Sequence, residues 1–82
     1  MNNIVYTIEY CPCCSGVVGL LKGLGIEFEE RLVEDQDEKQ RRQSQYHWPT
    51  FPIVVLNGNF IGGYDDARAL ADLGRLDEIL SR

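Results

Sequence analysis

The chain has 82 residues, of which 44% are hydrophobic and 26% charged, and its formal net charge is −5 at pH 7. This acidic balance disfavours nucleic acid as a partner, because phosphate binding depends on clustered lysine and arginine. No apolar run approaches the roughly 20 residues that a membrane span needs, so a membrane partner is not expected either. We predict one domain over residues 1–82, without a targeting segment, in a reducing, cytoplasmic compartment.

The first predicted element is a buried strand over residues 3–8, which are rich in β-branched and aromatic side chains. A helix follows from Pro12 to about Gly23, where apolar residues recur at helical spacing. Proline suits the first helical position, since its missing N–H would have no intrahelical partner there. The most informative segment of the chain lies where this helix begins: Cys11-Pro12-Cys13-Cys14.

Cys11 and Cys14 form a Cys-x-x-Cys pair at the first turn of this helix, a pattern typical of a redox-active dithiol. The N–H groups that begin a helix have no intrahelical partner, and the helix dipole places partial positive charge there. We therefore expect the pKa of Cys11 to lie below the value of about 8.5 for a free cysteine. Residues three apart share a helix face, so Cys14 can attack a mixed disulfide formed on Cys11. Cys11 is the predicted nucleophile, and Cys14 the more buried resolving thiol.

Two other interpretations of the cysteines have less support. A structural zinc site needs four ligands, and only Cys13 and the single histidine, His47, remain to complete one. A structural disulfide in a secreted protein is disfavoured by the odd count of three cysteines. We predict no metal site.

Strand and helix patterns alternate through the middle of the chain. Residues 28–33 alternate imperfectly between apolar and charged side chains and predict a strand. Residues 34–46 are highly charged, with acidic residues first and basic residues later, an order that complements a helix dipole. Residues 52–56 are strongly apolar and predict a second buried strand.

The Asn-Gly-Asn sequence at residues 57–59 is the strongest hairpin signal in the chain. It leads into a short strand at residues 60–61, which the glycines at residues 62–63 end. Asp65 and Asp66 then open a final helix over residues 67–80, which we expect Gly74 to divide into two short pieces.

The predicted order is β-α-β-α-β-β-α, which gives an open α/β fold with a four-stranded mixed sheet flanked by helices. The helical crossover makes the first two strands parallel, and the hairpin makes the last two antiparallel.

Three blocks of sequence stand in a fixed order along these elements: Cys11-Pro12-Cys13-Cys14 after the first strand, Thr50-Phe51-Pro52 before the third, and Gly62-Gly63-Tyr64-Asp65-Asp66 after the hairpin. Together they resemble a glutaredoxin of the dithiol type, in the thioredoxin superfamily. The resemblance implies a thioredoxin-like fold, a cis peptide bond before Pro52, and glutathione as cosubstrate without a tightly bound cofactor.

The resemblance also implies a groove for glutathione beside Cys11. There the backbone of Phe51, next to Pro52, would pair with the extended cysteinyl peptide as an added strand would. The N–H of Asp65 would meet the γ-glutamyl carboxylate at a helix N-terminus, and Asp66 would pair with the γ-glutamyl ammonium. The remaining implied contacts are Thr50 in the same loop and, for the glycine carboxylate, Lys39. Taken singly, these residues also have structural interpretations. The Thr50-Phe51-Pro52 block suits a turn, Asp65 and Asp66 suit a helix start, and Lys39 suits a solvated helix surface.

The implied activity is reduction of protein disulfides and glutathione mixed disulfides by Cys11, with resolution by Cys14 or by free glutathione. The implied partners are glutathione and disulfide-containing or glutathionylated proteins, and we expect a monomer. Two alternatives stay open. One is a redoxin that thioredoxin reductase reduces and that donates electrons to ribonucleotide reductase. The other is a module in which Cys11 of two subunits and glutathione hold an iron–sulfur cluster.

The sequence departs from the family pattern at two positions near the cysteines. Ile8 stands where a lysine is common, which predicts a less depressed pKa for Cys11 and weaker glutathione binding. Cys13 stands where tyrosine is usual, either as a small tolerated replacement or as a thiol that forms competing disulfides. We expect Trp48 to pack its loop against the preceding helix rather than cover the groove, and assign no role to His47.

Overall fold

The computed structural model describes residues 2–81 and contains four strands and four helices within them. In chain order these are β1 (Ile4–Thr7), α1 (Pro12–Gly23), β2 (Glu29–Leu32), α2 (Gln36–Tyr46), β3 (Ile53–Leu56), β4 (Asn59–Gly62), α3 (Tyr64–Asp72) and α4 (Leu76–Leu80). Within residues 2–81, none of these helices has the length and apolar character to span a membrane.

The strands form one sheet in the order β2-β1-β3-β4. β1 runs parallel to β2 and antiparallel to β3, and β3 pairs antiparallel with β4. The predicted mixed sheet, with its parallel first pair and its hairpin, is therefore confirmed. At the hairpin, Asn57 and Gly58 have φ values of 53° and 77°, the left-handed region that a tight two-residue turn requires.

Side chains of β1 alternate between two hydrophobic clusters, one on each face of the sheet. Val5 is fully buried and packs with Val17 and Leu21 of α1. Tyr6 points the other way and packs with Val33 and Val55, in the cluster that Tyr46 at the end of α2 also covers. Both faces of the sheet are thus covered, and the end of β1 leads directly into the loop that carries the cysteines.

The C-terminal helix differs from the prediction in where it begins. α3 starts at Tyr64 rather than Ala67, so Asp65 and Asp66 lie inside its first turn instead of ahead of it. The physical reason is that Gly63 is the N-cap, and its N–H donates to Asp66 Oδ2 at 3.0 Å, the side-chain half of a capping box.

The predicted division at Gly74 is confirmed, because this residue has φ +70° and separates α3 from α4. The chain therefore ends in two helices rather than one. Smaller differences occur at other boundaries: α2 begins at Gln36, after its N-cap Asp35, and β4 extends from Asn59 through Gly62.

α1 and α3 approach each other closely at Gly16. A Cβ atom at this position would lie 2.9 Å from Cε1 of Tyr64, which is shorter than carbon atoms tolerate. Glycine thus lets the N-terminal half of α1 approach the start of α3, which brings the cysteine helix close to the Gly62–Asp66 block.

Candidate functional site

Cys11 is the N-cap of α1, with extended backbone angles of φ −120° and ψ 99°. Its Sγ accepts a hydrogen bond from the backbone N–H of Cys14 at 3.2 Å. Its carbonyl oxygen accepts from the N–H groups of Cys14 and Ser15, at 3.1 and 3.2 Å. The sulfur atom that the sequence predicts to be the nucleophile therefore lies on an amide of the first helical turn, as expected from the unpaired N–H groups there.

Cys11 and Cys14 are joined by a disulfide, with Cα atoms 5.2 Å apart. Cys14 is 3% exposed, whereas Cys11 is only partly buried, which confirms the expected difference in burial. Cys11 Sγ lies 3.9 Å from the carbonyl oxygen of Phe51. Cys13 is outside the disulfide and is an exposed free thiol.

A groove of about 270 Å³ lies beside the cysteines. It is lined by Cys13, Trp48, Thr50, Phe51, Pro52, Gly63, Tyr64, Asp65 and Asp66. The structure thus brings together the second and third blocks of the sequence pattern, and with them every predicted glutathione-binding residue except Lys39. The Phe51–Pro52 peptide bond is cis, as the resemblance implied.

One end of the groove is the N-terminus of α3. The first intrahelical hydrogen bond runs from Ala67 N–H to the Gly63 carbonyl at 3.1 Å, so the N–H groups of the preceding turn are not used within the helix. One oxygen of Asp66 caps Gly63, and the carboxylate is exposed in the groove. This end therefore combines donors for an anion with a carboxylate for a cation.

Lys39 lies on α2, where it is half-buried. It is not among the described residues that line the groove. Its contact with a glycine carboxylate therefore stays a prediction.

Trp48 lines the groove, so the expectation that it only packs its loop against the preceding helix is wrong. Its ring packs edge-on against Phe60 of β4 at 5.4 Å between centroids, and Tyr46 stacks on the same ring at 5.4 Å. Burial raises the pKa of Tyr46 above its ordinary value, and a hydrogen bond with Tyr6 raises it further. The aromatic stack is therefore uncharged at neutral pH. The sequence signal for this stack is Tyr46 and Trp48, which lie just before Pro49. Their partner, Phe60 on β4, is distant in sequence.

A second cavity of about 390 Å³, here called the sulfur cavity, lies on another side of the disulfide. Besides both bonded cysteines it is lined by Thr7, Ile8, Tyr10, Ser15, Val18, Gly19, Lys22, Glu30 and Leu32. Ile8 therefore faces the cavity that borders the reactive sulfurs. Within residues 2–81, no three His, Cys, Asp or Glu side chains are grouped as metal ligands would be.

Comparison with known proteins agrees with this geometry. The family model described as Glutaredoxin matches residues 3–61. This chain belongs to the glutaredoxin family. A probable monothiol glutaredoxin 2 from Rickettsia conorii is 38% identical over 77 residues, which cover 89% of this chain and 72% of the relative.

Solved structures of glutaredoxins share the fold. The solution structure of glutaredoxin from Brucella melitensis has a TM-score of 0.86 and 30% identity, and the match covers 100% of this chain and 92% of that one. The buckwheat glutaredoxin–glutathione complex has a TM-score of 0.87 and 25% identity, covering 98% and 76% of the two chains. The sheet and its flanking helices are thus a thioredoxin-like fold, and the chain is an enzyme of the thiol–disulfide oxidoreductase class.

Proposed function

We propose that this chain is a glutathione-dependent oxidoreductase that reduces protein disulfides and glutathione mixed disulfides through Cys11 and Cys14. The observation that carries the proposal is the 3.2 Å hydrogen bond from the Cys14 N–H to Cys11 Sγ. The same amide stabilises a thiolate after reduction, since an N–H bond to a charged acceptor is stronger than one to a neutral acceptor. The partly exposed Cys11 therefore has the chemistry of an attacking thiol.

The reaction begins when the Cys11 thiolate attacks the glutathione sulfur of a mixed disulfide and the substrate sulfur leaves as a thiolate, which takes up a proton. Cys11 then carries glutathione. A second glutathione thiolate attacks the sulfur of the bound glutathione, which releases oxidised glutathione and returns Cys11 to the thiolate. On a protein disulfide, Cys11 attacks one sulfur and releases the other as a thiol. Cys14 then attacks the Cys11 sulfur of the mixed disulfide, which releases the second substrate thiol and leaves the Cys11–Cys14 bond that the structure contains. Two glutathione molecules reduce this bond and leave as oxidised glutathione.

Groups in the groove would recognise the cysteinyl and γ-glutamyl parts of glutathione. The backbone beside Pro52 would pair with the cysteinyl residue, the N–H of Asp65 would bind the γ-glutamyl carboxylate, and Asp66 its ammonium. Thr50 lies on the wall of this groove, and Lys39 on α2 is the proposed partner of the glycine carboxylate. The glutathione complex of the buckwheat relative supports a glutathione site in this fold.

Asp66→Asn tests the ammonium contact. Asparagine retains an oxygen that can accept from Gly63 N–H but loses the charge, so we expect the KM for a glutathionylated substrate to rise about tenfold, the size of one lost charge-assisted hydrogen bond. Asp65→Asn is the matched control, because its proposed contact is the backbone N–H, and its KM should stay within about twofold. Steady-state kinetics over a range of substrate concentrations measures both. Equal KM values for the two variants would contradict the assignment of Asp66.

The activity itself is tested with purified protein, reduced glutathione and a glutathione mixed disulfide, with oxidised glutathione followed by a coupled reductase and NADPH. We expect a colourless protein with glutathione-dependent turnover. A brown protein with visible absorbance and no turnover would favour the iron–sulfur alternative. Turnover that needs thioredoxin reductase in place of glutathione would favour the redoxin alternative, for which ribonucleotide reductase stays a predicted partner.

A further inference from the structure

Thr7 is a buried polar residue that the proposed mechanism does not use. It is 3% exposed, and its Oγ1 is shielded from solvent without a hydrogen-bond partner among the described residues. Its backbone carbonyl is occupied, since it accepts from the Val33 N–H at 2.8 Å. An unsatisfied buried hydroxyl costs free energy, and such a group calls for an explanation.

The surroundings of Thr7 include the buried residue Cys14. It is the last residue of β1, and strand alternation places its side chain on the same face as Val5, toward α1. The buried face of α1 consists of Cys14, Val17 and Leu21, with Cys14 at the end nearest the cysteine loop. Thr7 and Cys14 are each 3% exposed, and both line the sulfur cavity.

We propose that Thr7 is a positioning residue whose hydroxyl donates a hydrogen bond to the Cys14 sulfur in the reduced protein. The proposal rests on the function argued above. In the disulfide form that sulfur is bonded to Cys11, and a sulfur bonded in this way is a poor acceptor. A Cys14 thiol accepts better, and the thiolate that resolves a mixed disulfide accepts better still. The hydrogen bond therefore forms on reduction and favours the dithiol state.

The redox equilibrium measures this difference directly. Dithiothreitol gives two electrons and two protons to the Cys11–Cys14 bond, and closes to its own cyclic disulfide as the two protein thiols form. Thr7→Val has nearly the same shape without the hydroxyl, and Thr7→Ser keeps the hydroxyl without the methyl group. We expect Thr7→Val to shift the equilibrium constant about fivefold toward the protein disulfide, the size of one lost hydrogen bond. Thr7→Ser should stay within about twofold of the unchanged protein.

An unchanged constant for Thr7→Val would overturn the proposal, as would an equal shift for Thr7→Ser, which would assign the effect to packing. If Thr7→Val does not fold, Thr7→Ala compared with Thr7→Ser gives the same contrast. Thermal unfolding adds an independent readout: Thr7→Val should raise the melting temperature of the oxidised protein but not of the reduced one. Because dithiothreitol replaces glutathione here, the result does not depend on glutathione turnover, and either hypothesis can fail alone.

Discussion

Cys11→Ser is expected to abolish turnover of a glutathione mixed disulfide, whereas Cys14→Ser retains it. The serine hydroxyl cannot act as the attacking thiolate in place of the Cys11 sulfur, which accepts from the Cys14 N–H at 3.2 Å in the disulfide form. Cys14 is buried, and the proposed reaction needs it only when no second glutathione resolves the intermediate. With a protein disulfide as substrate, both variants should therefore lose most of the activity. The glutathione-coupled assay with each substrate measures these four rates.

Cys13→Ser is the control for this pair of variants. Cys13 is exposed and outside the disulfide, and serine has a similar size, so we expect turnover within about twofold of the unchanged protein. Survival of activity in Cys11→Ser, or its loss in all three variants, would contradict the assigned roles.

Gly62→Ala is expected to lower the free energy of unfolding by about 3 kcal/mol, because backbone strain and a steric clash add together. Gly62 has φ +128°, a conformation that side chains disfavour, and an added Cβ would lie 2.5 Å from Asp66 Oδ2 and 2.9 Å from its Cβ. Asp66 would have to move away from Gly63, so the N-cap of α3 and the proposed ammonium site would be disturbed together. Urea unfolding followed by circular dichroism measures the loss.

Gly58→Ala provides the matched control in the same hairpin. Gly58 also has positive φ, +77°, but an added Cβ would have no neighbour within 4 Å. We expect a cost of about 1 kcal/mol, the penalty for the left-handed conformation alone. Equal costs at the two positions would show that the approach of Gly62 to Asp66 has no energetic consequence.

Local patterns explain most of what could be predicted from the sequence. The hairpin signal at residues 57–59 and the helical spacing after Pro12 depend on neighbours in the chain, and both elements occur where expected. The predicted start of α3, Ala67, is wrong by one turn, because the helix begins at Tyr64. The spacing of Gly63 and Asp66 matches half of a capping box, which indicates the earlier start. The start of α3 could therefore be predicted from the sequence. The error comes from interpreting Gly62 and Gly63 only as residues that end a strand, although Gly63 is also the N-cap of the helix.

The parts of the site that could not be predicted depend on long-range packing. Trp48 lines the groove because its ring packs against Phe60, a contact that joins the loop before β3 to the hairpin strand. The sequence predicts only that Thr7 lies in a strand. Its hydroxyl is buried and unsatisfied because α1 covers that face of the sheet, which local sequence does not show. The contact of Lys39 with the glycine carboxylate is predicted from the resemblance alone, and within residues 2–81 Lys39 is not among those that line the groove.

Stabilisation of the Cys11 thiolate by the first-turn amide is tested most directly by the alkylation rate of Cys11 in the reduced protein as a function of pH. The Cys13→Ser variant makes Cys11 the accessible thiol, since Cys14 is buried. Stabilisation by the first-turn amide predicts that the rate reaches half its maximum at a pH below the value of about 8.5 for a free cysteine. A rate profile that matches a free cysteine peptide, or a Cys11 that does not react at all, would contradict the account.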